Sequence, residues 1–177
     1  MINKSAYTLV ELLVVIAIIA MTAVLALPAF QKYSKITEFK QKAEEVRELF
    51  NSAGTLALAP QSIGSISSTD IDSYKIEYNK AASPNEYTLS ACKTNTCSGS
   101  DKVPINKVKL LKTEMISGVA TSGTVFECGT QLTDGQPAKC TTTVDGFAFS
   151  DSSSDVSKIA QFTLLDPFKV TLSYKDL

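Results

Sequence analysis

Residues 7–29 read YTLVELLVVIAIIAMTAVLALPA, an apolar run interrupted by a single charge, Glu11. As a helix this run is about 34 Å long at 1.5 Å per residue, enough to cross a bilayer. A carboxylate within such a run is costly, about 2.5–3.5 kcal/mol at mid-bilayer on insertion scales and less near an end, where Glu11 sits. A charge kept there is expected to answer a partner. The nearest candidate is an amine, and a cut just before Tyr7 creates one.

The residues ahead of the run, MINKSA, are short and polar with one Lys, which favours a cytoplasmic N-terminus and an exported remainder. The ordinary alternative is a secretory signal cut after Ala26. Against it, the apolar region exceeds the usual length of about 7–15 residues and contains Glu11, and Pro28 follows that site closely.

In chain order, a small residue (Ala6), an aromatic (Tyr7), Thr8, two aliphatics (Leu9, Val10) and Glu11 follow the basic leader. Leu9–Ala20 and Ala26–Tyr33 continue the pattern. Over roughly residues 1–35 the chain resembles the class III signal of type IV prepilins. Ala6 stands where that family usually has Gly, and Tyr7 where Phe is commonest.

Beyond Pro28, which removes one backbone hydrogen bond and is expected to kink or locally melt the helix, apolar residues recur at Ile36, Phe39, Ala43, Val46, Phe50, Ala53 and Ala57. Spacings of three and four mark one face of a helix. Lys40, Gln41, Glu44, Glu45, Arg47 and Glu48 fill the other faces, with Lys40 and Glu44 placed for a weak i,i+4 pair. Pro60 ends the pattern. One helix of some fifty residues is expected, apolar all round at first and amphipathic later.

After Pro60 the composition changes. Gln61–Asp72 reads as a loop. Strand-like runs follow at Tyr74–Tyr78, Glu86–Ala91, Val103–Leu111, Thr124–Cys128, Gly146–Phe149, Ile159–Leu164 and Phe168–Tyr174, punctuated by Asn, Gly, Ser, Asp and Pro. The expected fold is α+β and type IV pilin-like, with a long N-terminal helix whose amphipathic half packs on an antiparallel sheet. Its divisions are a leader (1–6), an apolar membrane or filament-core helix (7–29), an amphipathic helix (30–60) and a β-rich head (61–177). Strand pairing cannot be read from the chain.

Four cysteines, Cys92, Cys97, Cys128 and Cys140, lie in this head. In an exported domain an even number reads as disulfides, with three pairings open. Cys92–Cys97 and Cys128–Cys140 are favoured because both would close short, turn-rich loops. A four-thiolate zinc site is the weaker alternative, since the spacings are not of the paired C-x2-C type. No metal site and no cofactor are expected. Asp70–Asp72 and Asp151–Asp155 do not make a dense calcium loop.

The net charge of −1 argues against a nucleic-acid-coating protein. The absence of His removes Ser-His-Asp and Cys-His catalysis. No residue constellation supports an enzyme. Lys102, Lys107, Lys109 and Lys112 give one strand a basic face that could attract DNA phosphates. No aromatic is interleaved for stacking, so a solvated face is the simpler reading. Phe147, Phe149, Phe162 and Phe168 read as core, and Ser65, Ser67, Ser68 and Ser152–Ser154 as loop.

The resemblance implies a filament subunit. A prepilin peptidase would cut between Ala6 and Tyr7, and Tyr7 would be N-methylated. The subunit would wait in the inner or cytoplasmic membrane until an assembly ATPase and a platform protein built it into an extracellular homo-oligomeric pilus. There Glu11 would pair with the Tyr7 amine of a neighbour, and Pro28 would let the helix loosen. Adhesion, motility and DNA uptake are the roles this implies. The nearer alternatives are a minor pilin and a type II secretion pseudopilin. The more distant one is a membrane-anchored extracellular binding domain.

Overall fold

The computed structural model describes residues 9–79, 82, 85–94, 97–110, 113–117, 123–130, 139–142, 146–151, 158–166 and 169–176. The fold is α+β. Helix α1 (Leu9–Leu58) is continuous for 50 residues. It runs through Pro28 without the local melting that was one of the two outcomes expected there. Proline removes a single hydrogen bond, and the long helical segments on both sides hold the conformation cooperatively. The chain divides into two compact units, one ending at Glu38 and the other beginning at Phe39, with α1 contributing to both.

In the second unit the predicted apolar stripe is the buried one. Phe39, Ala43, Val46, Phe50, Ala53 and Ala57 are buried, joined by Leu49, while Ile36, in the first unit, is half-buried. Within the second unit the helix packs on a five-stranded antiparallel sheet of order β3-β2-β1-β5-β6, made of β1 (Ser73–Asn79), β2 (Glu86–Cys92), β3 (Lys102–Lys109), β5 (Gly123–Gly129) and β6 (Cys140–Thr142). Phe50 is the pivot: its ring lies edge-on to Phe126 at 5.4 Å and to Tyr87 at 6.3 Å. Tyr78, in register with Tyr87, packs against it at 5.1 Å. Edge-to-face pairs of this kind add about 0.5–1.5 kcal/mol beyond the area they bury.

A second antiparallel sheet has the order β4-β7-β8-β9, made of β4 (Thr113–Ser117), β7 (Gly146–Asp151), β8 (Lys158–Asp166) and β9 (Lys169–Asp176). It buries Ala148, Ala160, Phe162 and Val170. From β9 the Tyr174 hydroxyl donates to the Lys40 carbonyl at 3.3 Å, and the Lys40 ammonium lies 5.7 Å from the centre of the Tyr174 ring. The expected Lys40–Glu44 pair is therefore replaced: Glu44 pairs with Arg47 at 2.9 Å and Lys42 with Glu45 at 2.6 Å.

Five of the seven strand-like runs lie within strands, Val103–Leu111 overruns the end of β3 and Phe168–Tyr174 begins one residue ahead of β9, with Leu111 outside the described residues; Gln61–Asp72 is largely irregular. β4 and β6 were not expected. β6 has three residues, too few to show alternation, and β4 lies in a run that reads as a connection. Phe168, Ser152–Ser154 and the side chains of Phe147 and Phe149 lie outside the described residues.

Candidate functional site

Among the described residues nothing covers the apolar half of α1. Leu9, Leu12, Ile16, Ile19, Val24, Leu27 and Phe30 are all exposed, Leu9 by 74% and Phe30 by 71%. The most apolar 18-residue window has a mean hydropathy of 2.8 with none of it buried, and α1 is the one described helix long and apolar enough to cross a membrane. Each of these side chains forgoes about 1.5–3 kcal/mol that burial would return. A surface of this size requires a lipid or protein environment.

The polar groups on this segment are few. Glu11 is the one charged residue of the described helix before Lys32. The Thr22 hydroxyl donates to the carbonyls of Ile19 (2.9 Å) and Ile18 (3.1 Å), which satisfies it without an outside partner. This back-bond shields the one hydroxyl between Glu11 and Pro28, and the lone Thr in an apolar run was its sequence signal. Pro28 is exposed within the helix. The expected processing residues Ala6 and Tyr7 lie outside the described residues.

In the head, the four thiols are spent in two disulfides, Cys92–Cys97 and Cys128–Cys140, which leaves none for a zinc site. The first closes a turn in which the Cys97 amide donates to the Thr94 carbonyl at 3.0 Å and Cys97 takes a left-handed φ of 47°. The second joins residues that face each other in register, so it clamps the three-residue β6 to β5.

The basic strand β3 is not a free cationic face. Lys107 pairs with Glu86 at 3.5 Å and Lys102 with Glu77. On the same outer face, Lys75 is buried and bridges to Glu127 at 3.0 Å. Neutralised lysines attract little phosphate, which weakens the case for DNA; Lys109 is exposed and makes no ion pair among the described residues, and Lys112 lies outside them. Three tyrosines of the core are pushed above their ordinary value by burial. Tyr87 moves most, helped by the nearby Tyr78, and Tyr78 and Tyr74 move less.

Residues 1–27 match the family model of the prokaryotic N-terminal methylation motif, the class III signal peptide of type IV pilins. No curated protein and no solved structure matches the chain. The motif, the uncovered helix and the α+β head support a type IV pilin-like or pseudopilin precursor. The motif and the apolar helix support anchoring in a membrane, and the motif is one of structural subunits.

Proposed function

We propose that this chain is a structural subunit of a type IV pilus or a closely related filament. The observation that carries the reading is one helix with both a methylation-type N-terminus and a fully uncovered apolar half. A membrane can cover that half before assembly and copies of the same helix can cover it afterwards. Cleavage between Ala6 and Tyr7 and methylation of the new amine produce a cation four residues from Glu11. In a bundle of copies, the Glu11 carboxylate of one chain takes the Tyr7 amine of its neighbour. In low dielectric such a pair holds only if both charges are present, because losing one strands the other. Glu11 therefore sets register. A prepilin peptidase, an assembly ATPase and a platform protein are the partners this pathway needs.

The test is the N-terminal mass of this chain in material sheared from cells. A chain beginning at Tyr7, one methyl heavier and abundant in that fraction, supports a major subunit. The same terminus at low abundance favours a minor pilin or pseudopilin. A chain beginning at Met1 and confined to membranes overturns the reading in favour of a tethered domain. In the Glu11→Ala variant, sheared filaments should fall at least tenfold while both disulfides still form, since an unpaired buried charge costs about 3–5 kcal/mol.

A further inference from the structure

The outer face of the five-stranded sheet, away from α1, carries a groove of about 500 Å³. It runs along β2, with Thr88 and Ser90 beneath it. In register, Thr88 lies between Glu77 of β1 and Lys107 of β3. Lys102 reaches diagonally over β2 to Glu77, and Lys107 reaches Glu86 at 3.5 Å. Ser90 is fully buried below, and its hydroxyl has no hydrogen-bond partner among the described residues.

Two lysines and two glutamates cancel, and each is engaged with its opposite. The groove therefore offers no net field to draw a phosphate, a polyanion or a free amine. It keeps hydrogen-bonding capacity of both signs. A carboxylate has about four acceptor positions and an ammonium three donors, so one ion pair leaves most of them unspent. The Thr88 hydroxyl adds a group that can donate or accept, and the Ser90 hydroxyl, without a hydrogen-bond partner among the described residues, also lines the groove. A ligand suited to this surface is uncharged and carries closely spaced hydroxyls that donate to carboxylates and accept from ammonium groups. The volume falls within the range of small-molecule sites.

We infer that this groove binds a neutral saccharide of one or two sugar units, held between the Glu77–Lys102 and Glu86–Lys107 pairs. The groove is open, so affinity per site is weak, in the millimolar range. The inference does not depend on filament assembly.

The experiment is a titration of the full chain, in micelles of a detergent without a sugar headgroup, with glucose, galactose, N-acetylglucosamine and lactose, followed by amide chemical shifts. Saturable changes confined to Glu77, Thr88, Ser90, Lys102 and Lys107 are expected for at least one sugar. Glu77→Gln should weaken that binding about fivefold, the difference between a charged and a neutral hydrogen bond, with the remaining amide spectrum unchanged. No saturable change with any of the sugars, changes centred elsewhere, or tighter binding of an anionic oligosaccharide or of DNA would overturn it. The mapping on the unsubstituted chain decides even if the variant fails to fold.

Discussion

The two halves of α1 are made of similar residues and live in opposite surroundings. Leu12, Leu13 and Ile16 before Pro28 are more than half exposed, whereas Leu49 and Phe50 near the other end are 1% exposed. Alanines divide the same way: Ala17 and Ala20 are exposed, and Ala43 and Ala53 have no accessible surface. The difference lies in what surrounds each residue type. The second half interleaves its apolar stripe with Lys, Glu and Arg, so one face can leave water while the others stay in it. The first half has no polar face to leave in water, and the whole cylinder needs cover. One helix thus serves as a structural element of the head and as an anchor.

Paired substitutions across Pro28 test this contrast most directly. Phe50→Ala should destabilise the head by about 3–5 kcal/mol, because it empties the aromatic junction of α1, β2 and β5. Ile16→Ala, equally apolar and on the same helix, should leave the thermal unfolding midpoint of the head unchanged. If both midpoints fall alike, the two halves do not differ as described.

The disulfides come next. In the chain-entropy account, closing the longer Cys128–Cys140 loop is worth about 3 kcal/mol and the shorter Cys92–Cys97 loop about 2 kcal/mol. Replacing both Cys128 and Cys140 by Ser should therefore cost more in denaturant unfolding than the same change at Cys92 and Cys97. It should also open the β6 amides to hydrogen exchange.

Added volume sharpens the comparison at smaller magnitude. Ala43→Leu forces a larger side chain into a closed contact and should cost about 1–3 kcal/mol. Ala20→Leu should leave head stability unaltered in the same thermal measurement.

The smallest effect concerns pH. Burial raises Tyr87 well above the ordinary value of 10.0, so the unfolded chain loses that proton first. Above pH 10 the folded state holds more protons, and stability declines as pH rises further. Tyr87→Phe should flatten part of that decline in urea midpoints taken on either side of pH 10. A slope equal to that of the unsubstituted chain would exclude Tyr87 as a contributor. Tyr74 and Tyr78, also raised by burial, account for part of the slope that remains.

Much of this protein is local and therefore readable in the chain. The span of the apolar run, the single charge at Glu11 and the stripe from Phe39 to Ala57 depend only on helical geometry and side-chain type. The disulfide pairing was readable for a similar reason, because short loops close easily. At Pro28 the chain left kinking and local melting both open, since a proline's local cost does not reveal how much helix lies ready to absorb it; the helix does not melt there.

Other features required residues far apart in sequence to meet. The order β3-β2-β1-β5-β6 places Lys75 beside Glu127, and only that neighbourhood explains a buried lysine. The same register brings Glu77 and Glu86 to Lys102 and Lys107, neutralising two of the three lysines of β3. Tyr174 reaches Lys40 across 134 positions of sequence, which no local pattern could signal. Periodicity records which face of an element avoids water, and local chemistry follows from it. Which partner that face meets, and which charges then cancel, is decided by the packing of the whole chain.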